Sequence, residues 1–223
     1  MDQDNMELFD ESFALDDQSE IMIEESDEDA AKVSTTKSWQ KNILSYLHDL
    51  VFGLVGILLI FMFLFRMVVV SGPSMKQTLQ DGDRLILLSN VLYNNPKYGD
   101  IVVASKDSFK DGEPIIKRVI ATEGQKVNID FEKGIVYVDD VPLKEKYTKT
   151  PTNLPEGMSF PLIVEEGCVF VMGDNRNDSW DSRSPEIGMI DCREILGKAL
   201  VLALPGVSEG SGERDFSRIG VLW

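Results

Sequence analysis

Sixteen consecutive residues without a charge, Leu50 to Phe65 (LVFGLVGILLIFMFLF), constrain this chain more than any other feature. Extended back to Tyr46 and on through Met67-Val-Val-Val70, the run reaches the roughly 20 apolar residues that a bilayer core requires of a helix. It is apolar all round, whereas a helix on the surface of a soluble domain keeps a polar face, so a transmembrane helix is expected rather than a core helix. Arg66, near its end, is expected to extend to the head groups. A cleaved secretory leader fits poorly, because a long acidic segment precedes the run and no Ala-x-Ala pattern follows it closely.

Charge divides the chain in the same place. Of the net −16, residues 1–31 supply −13 through thirteen Asp or Glu and no Lys or Arg. Such a stretch has too little apolar surface to offset the entropy of ordering, so residues 1–36 are expected to form a disordered acidic tail. Lys32, Lys37 and Lys41 then precede the apolar run, with Ser34 to Thr36 as a candidate helix cap and Trp39 as an interface anchor. These lysines favour a cytoplasmic N-terminus. The expected division is therefore a tail over 1–36, a juxtamembrane segment and transmembrane helix over 37–66, and an extracytoplasmic domain over 67–223. From Ser71 onward 18 Lys and Arg stand against 24 Asp and Glu, a mixed surface on which nucleic acid is not an expected partner.

The region after Ser71 reads as β. Leu85–Leu88, Ile101–Ala104, Ile115–Ala121, Ile135–Val138, Val169–Met172 and Leu200–Leu204 are short apolar or alternating runs, separated by turn formers such as Asn94-Asn95-Pro96 and Asp111-Gly112. No stretch of ten residues there shows a helical period, so a barrel-like or coiled sheet is expected. Leu154 to Phe160, with its prolines, is expected as a surface loop, and Ser208 to Gly212 as a flexible link to the segment Phe216–Trp223.

Chemistry is restricted by the single histidine. His48 lies at the leading edge of the apolar run, so a Ser-His-Asp triad and a histidine zinc site are both excluded from the C-terminal domain. Ser74 follows the turn signal Gly72-Pro73 directly after a β-branched run, which presents its hydroxyl at a strand end or leaves it as a polar turn. Lys76 stands where the nucleophile-elbow pattern Gly-x-Ser-x-Gly needs its second glycine. A serine nucleophile still needs a base, and a lysine can serve when burial keeps it neutral. In Ile115-Ile-Lys-Arg-Val-Ile-Ala121, alternation puts Lys117 on one face with Ile115, Val119 and Ala121, either buried or at a sheet edge. Lys76 is a competitor in a polar context. Gly173 to Arg183 (GDNRNDSWDSR) holds two Arg and three Asp able to satisfy one another as a rigid charged shelf, with Ser179 and Ser182 placed to orient a neutral lysine.

Ser71-Gly-Pro-Ser-Met-Lys-Gln-Thr-Leu79, Gly99-Asp-Ile-Val-Val103, Lys117-Arg-Val-Ile120 and Gly173-Asp-Asn-Arg with Ser179-Trp-Asp-Ser-Arg183 resemble, in order, four boxes of bacterial type I signal peptidases. Gly197-Lys-Ala and Ser217-Arg-Ile-Gly are also similar to that family, and the resemblance spans roughly residues 40–223. It implies a mostly-β, signal-peptidase-like catalytic domain behind one transmembrane helix. Ser74 would be the nucleophile and Lys117 the general base, with Ser179 orienting the lysine and Asp181 and Arg183 supporting the shelf as a structural pair. Substrates would be secretory preproteins with small residues one and three positions before the cut, bound as an added strand against Met67–Ser71 and the Lys117 strand. The lipid bilayer is the other expected partner, the chain is expected to act as a monomer, and no cofactor or metal is implied. Two positions depart from the family pattern. Lys76-Gln77 replaces the commoner residue-plus-proline, and Gly72 stands where some members place a serine hydroxyl in the oxyanion hole. With Pro73 lacking an N–H, the Ser74 amide is the most secure oxyanion donor.

A repressor-type Ser/Lys self-cleaving protease would need a DNA-binding domain and no membrane span. The rival of another class is a membrane-tethered binding or assembly module on an inactive peptidase fold. Cys168 and Cys192 either form a disulfide, which an outside compartment permits, or remain free.

Overall fold

The computed structural model describes Trp39, residues 42–106, Phe109, residues 112–208, Gly210 and residues 212–222. The acidic tail, the three juxtamembrane lysines and parts of the 208–212 link lie outside the described residues. Two compact units divide at Leu59/Ile60. In the first runs most of helix α1, Asn42–Leu64, whose 23 residues make it long and apolar enough to cross a membrane, with none of its most apolar window buried inside the protein.

The helix ends before the apolar run does. Phe65–Val69 is strand β1, pairing antiparallel with β2 (Arg84–Ser89), Arg66 opposite Leu87 and Val68 opposite Leu85. Arg66 therefore belongs to a strand rather than to a helix end. Two of the five residues are valines, and β-branched side chains fit the pleat better than a helical turn.

Among the described residues the second unit is mostly β, with twelve strands in two sheets. The remaining strands are β3 (Ile101–Ala104), β4 (Ile115–Thr122), β5 (Lys126–Asp130), β6 (Ile135–Val138), β7 (Val141–Pro142), β8 (Leu162–Ile163), β9 (Cys168–Met172), β10 (Ile190–Asp191), β11 (Ile195–Leu204) and β12 (Gly220–Val221). The larger sheet runs β1-β2-β11-β3-β4-β9-β10, with β12 added to β11; the smaller runs β7-β6-β5-β8. The core has three clusters. One gathers Val70, Met75, Leu79 and Leu85; the second Val102, Val119 and Ile190; the third joins Ile120, Phe170 and Met172 to Val127 and Val136 of the smaller sheet.

Strand β11 is longer than the run Leu200–Leu204. Its first half contains Gly197, where a Cβ would come within 2.3 Å of the Leu88 carbonyl oxygen, so the close crossing of β2 requires glycine and hides the strand from an alternation pattern. In β4 the alternation holds from Ile115 to Val119 and then breaks. A register shift against β9 between Val119 and Ala121 puts both Ile120 and Ala121 into the third cluster, so Ala121 does not share the face of Lys117. β4 lies between β3 and β9, though β9 pairs with it only from Arg118 onward; Lys117 is nevertheless buried, which removes the reading of an edge lysine reaching to solvent. Cys168 and Cys192 are free thiols, each raised above its ordinary pKa chiefly by burial.

Candidate active site

Ser74 lies in a turn that its neighbours hold down. Met75 and Leu79 are fully buried in the first core cluster, each burial contributing about 1.5–3 kcal/mol. Backbone bonds from Lys76 N to Pro73 O at 2.9 Å and from Leu79 N to Met75 O at 2.8 Å close the turn. The Gly72 amide donates to Asp81 Oδ1 at 2.8 Å, so it is committed within the protein. From the other side, Asn175 N donates to Ser74 O at 3.0 Å and Asn175 Nδ2 to Pro73 O at 3.1 Å.

The structure brings Lys117 to this turn. Its Nζ is 2.8 Å from Ser74 Oγ and 3.1 Å from the Ile116 carbonyl oxygen. Lys117 is only 4% exposed. Burial is the largest influence on its amine and pulls the pKa from 10.5 down to about 8; Asp181 and Glu156 pull it back up, and Arg183 lowers it. Lys76, by contrast, is exposed.

Behind the lysine lies the polar loop 173–183, and its ion pairs mostly reach outward rather than inward. Asp174 receives Arg118 Nε at 2.9 Å and Nη2 at 2.8 Å, and Thr78 Oγ1 at 2.5 Å. Arg176 is held by Glu145 at 2.6 and 2.5 Å. Only Asp181 and Arg183 pair within the loop, at 2.8 and 2.9 Å, both with fully buried side chains. The shelf is thus anchored on β4 and on the segment before β8, which corrects the expectation of a self-satisfied loop. Ser179 Oγ donates to Asp181 Oδ2 at 2.8 Å, and no hydrogen bond joins it to Lys117; Ser182 Oγ accepts from Val171 N at 3.0 Å. Gly173 packs so closely that a Cβ there would lie 2.1 Å from Ser179 Oγ and 2.5 Å from Ser74 O.

These walls enclose a cleft of about 810 Å³, lined among others by Val70, Ser74, Ile116, Lys117, Glu156 and Ser179. A family model described as signal peptidase, peptidase S26, matches residues 43–204. The chain belongs to this signal peptidase family. A probable signal peptidase I-1 of Synechocystis is 39% identical over 145 residues, which are 61% of this chain and 69% of that protein. Signal peptidase I of Bacillus licheniformis is 32% identical over 180 residues, 77% of this chain and 93% of the relative. The crystal structure of a signal peptidase I from Enterococcus faecalis V583 is 28% identical and covers 47% of this chain and 96% of its own, at a TM-score of 0.38, a likeness too loose to bear on the fold. As a signal peptidase family member the chain is a serine endopeptidase that hydrolyses peptide bonds.

One residue of this signal peptidase cleft carries no signal in the sequence. Glu156, in the proline-containing segment expected as a plain surface loop, lines the cleft and pairs with Arg183 Nη2 at 2.9 Å. The segment is strapped to the polar loop by Met158 N to Arg183 O at 2.9 Å and Arg183 Nη1 to Leu154 O at 3.2 Å. The boxes at the chain's end are also tied in: Lys198 bonds Asp100 at 2.5 Å, and Arg218 bonds Asp83 at 3.0 and 2.6 Å.

Proposed function

We propose that this chain removes N-terminal signal peptides from secretory preproteins, with Ser74 as nucleophile and Lys117 as general base. The observation that carries the reading is the 2.8 Å contact between Ser74 Oγ and a buried amine whose pKa is lowered to about 8. Above that pH the neutral amine accepts the hydroxyl proton as Oγ attacks the scissile carbonyl carbon, giving a tetrahedral oxyanion and lysinium. Lysinium then protonates the departing amine, leaving an ester on Ser74. Water, deprotonated by Lys117, attacks the ester and returns the serine. The Ser74 amide is the oxyanion donor, since Gly72 N is occupied and Pro73 has none.

The substrate binds extended between two open backbone edges. β1 is the edge strand of the larger sheet, and β9 pairs with β4 only from Arg118 onward, leaving Ile115 to Lys117 unpaired on that side. Val70, Met75 and Ile116 offer apolar walls for the small side chains before the cut. The helix Asn42–Leu64 tethers the enzyme to the bilayer as a single span, with the lysine-bearing N-terminal flank inside and the catalytic unit outside.

The test is cleavage of a signal-peptide substrate by the full chain in detergent. Ser74→Ala and Lys117→Ala are expected to lose about a thousandfold or more in kcat while remaining folded, and Lys76→Ala to stay within about threefold of wild type. Activity surviving in Lys117→Ala but lost in Lys76→Ala would move the base to Lys76. A folded wild type that cuts nothing would favour a binding role.

A further inference from the structure

Glu156 gives the cleft one more negative charge than its arginine needs. Arg183 is fully buried and already has a two-point pair with Asp181, Nε to Oδ1 and Nη2 to Oδ2. Glu156 brings a second carboxylate to the same guanidinium through Oε1. Its other oxygen, Oε2, is buried and has no hydrogen-bond partner among the described residues. An ionised oxygen left without a donor away from water is costly, so its presence asks for a charge that comes and goes.

Such a charge arises once in each half-reaction. In the resting dyad Lys117 is neutral, and Arg183, Asp181 and Glu156 sum to one negative charge. When Ser74 attacks, the hydroxyl proton moves to Lys117 Nζ and the cluster becomes neutral. We propose that Glu156 is a positioning residue for this step, its carboxylate fixed by Arg183 and serving as counter-charge for the lysinium that forms in the cleft. The inference rests on the Ser74/Lys117 reading above.

The surrounding groups agree. Lys117 faces Asp181, Arg183 and Asp174 from the polar loop and Glu156 from the strap, while Glu113, Asp178 and Glu186 line the exposed rim of the cleft. Burial, with Asp181 adding to it and Arg183 opposing, holds the Glu156 carboxyl up to about 7. It is therefore ionised in the alkaline range where Lys117 is neutral, so the counter-charge is present when the base is active.

The experiment is the pH profile of kcat and KM for wild type, Glu156→Gln and Glu156→Asp in detergent on one signal-peptide substrate. Removing the charge lowers the affinity of Lys117 for its proton, so the acid limb of Glu156→Gln is expected to move roughly one pH unit lower. A weaker base also transfers the proton less readily, so its plateau kcat is expected to fall roughly threefold with KM unchanged. Glu156→Asp keeps the charge and is expected to keep the wild-type limb. A limb that stays in place in Glu156→Gln, or that moves as far in Glu156→Asp, overturns the proposal by making the contact purely structural; should the glutamine protein be too unstable to assay, Glu156→Ala removes the same charge and is read by the same criterion. Failure of the underlying dyad is separately visible, as a wild-type activity that survives Lys117→Ala.

Discussion

The two walls of the cleft are built by opposite means. The side chains that pin the Ser74 turn, Met75 and Leu79, act by burial, a non-directional force that asks only for volume and apolarity and that adds to the turn's hydrogen bonds. The opposite wall is held by three buried guanidinium–carboxylate pairs, Arg118 with Asp174, Arg176 with Glu145 and Arg183 with Asp181. Buried pairs add little over an apolar core, yet removing one partner strands the other, at a cost of about 3–5 kcal/mol. Ser74 thus sits on anchors tolerant of chemical change, and Lys117 lies beside pairs that are not.

Near-isosteric substitutions test this contrast most directly. Asp174→Asn takes the carboxylate from Arg118 Nε and Nη2 in a buried pair and is expected to cost about 3–5 kcal/mol in urea unfolding followed by tryptophan fluorescence. Next in size is the lysine itself. Its pKa is about 8 when folded against 10.5 ordinarily, so the unfolded chain binds the proton more tightly. The resulting penalty is full below pH 8, shrinks as pH rises toward 10.5, and is gone above it. Lys117→Met is accordingly expected to be inactive but about 3 kcal/mol more stable at pH 7, an advantage that disappears near pH 11. A pH-independent gain would mean that packing, not charge, explains it.

Gly173→Ala joins the two walls, because its new methyl would push on both Ser179 Oγ and the Ser74 carbonyl. We expect kcat to fall on the order of a hundredfold through displacement of Ser74. Smallest of all, Met75→Leu is expected to cost less than about 1.5 kcal/mol, the tolerance of a volume-conserving core swap. Equal losses in Met75→Leu and Asp174→Asn would erase the distinction between the walls.

Much of the β fold was legible because six runs alternate or lie between turn formers. The start of β1 was not, since Phe65–Val69 is apolar apart from Arg66, and a lone arginine marks the end of a membrane helix as readily as the switch to a strand. Neither was the first half of β11, masked by Gly197. Within the cleft, the approach of Ser74 to Lys117 joins positions 43 apart and came from the order of motifs, as alternation alone left the lysine's burial open. Ser179 is expected to orient the lysine; the bond it makes is one its hydroxyl donates to Asp181 Oδ2, which the sequence pattern does not reveal. Glu156 had no mark at all: a glutamate between proline and glycine reads as solvent-facing until the partner guanidinium is known.

The order of strands in the larger sheet bears on the order in which the chain can assemble. β2, which continues from the serine turn, and β3, which pairs with the lysine strand, share no ladder; both pair instead with β11, about 90 residues or more further along the chain. A growing chain that stops short of Ile195 has no strand to bridge the two halves, so the serine turn and the lysine strand are joined through one sheet only by a pairing that is distant in sequence and slow to close.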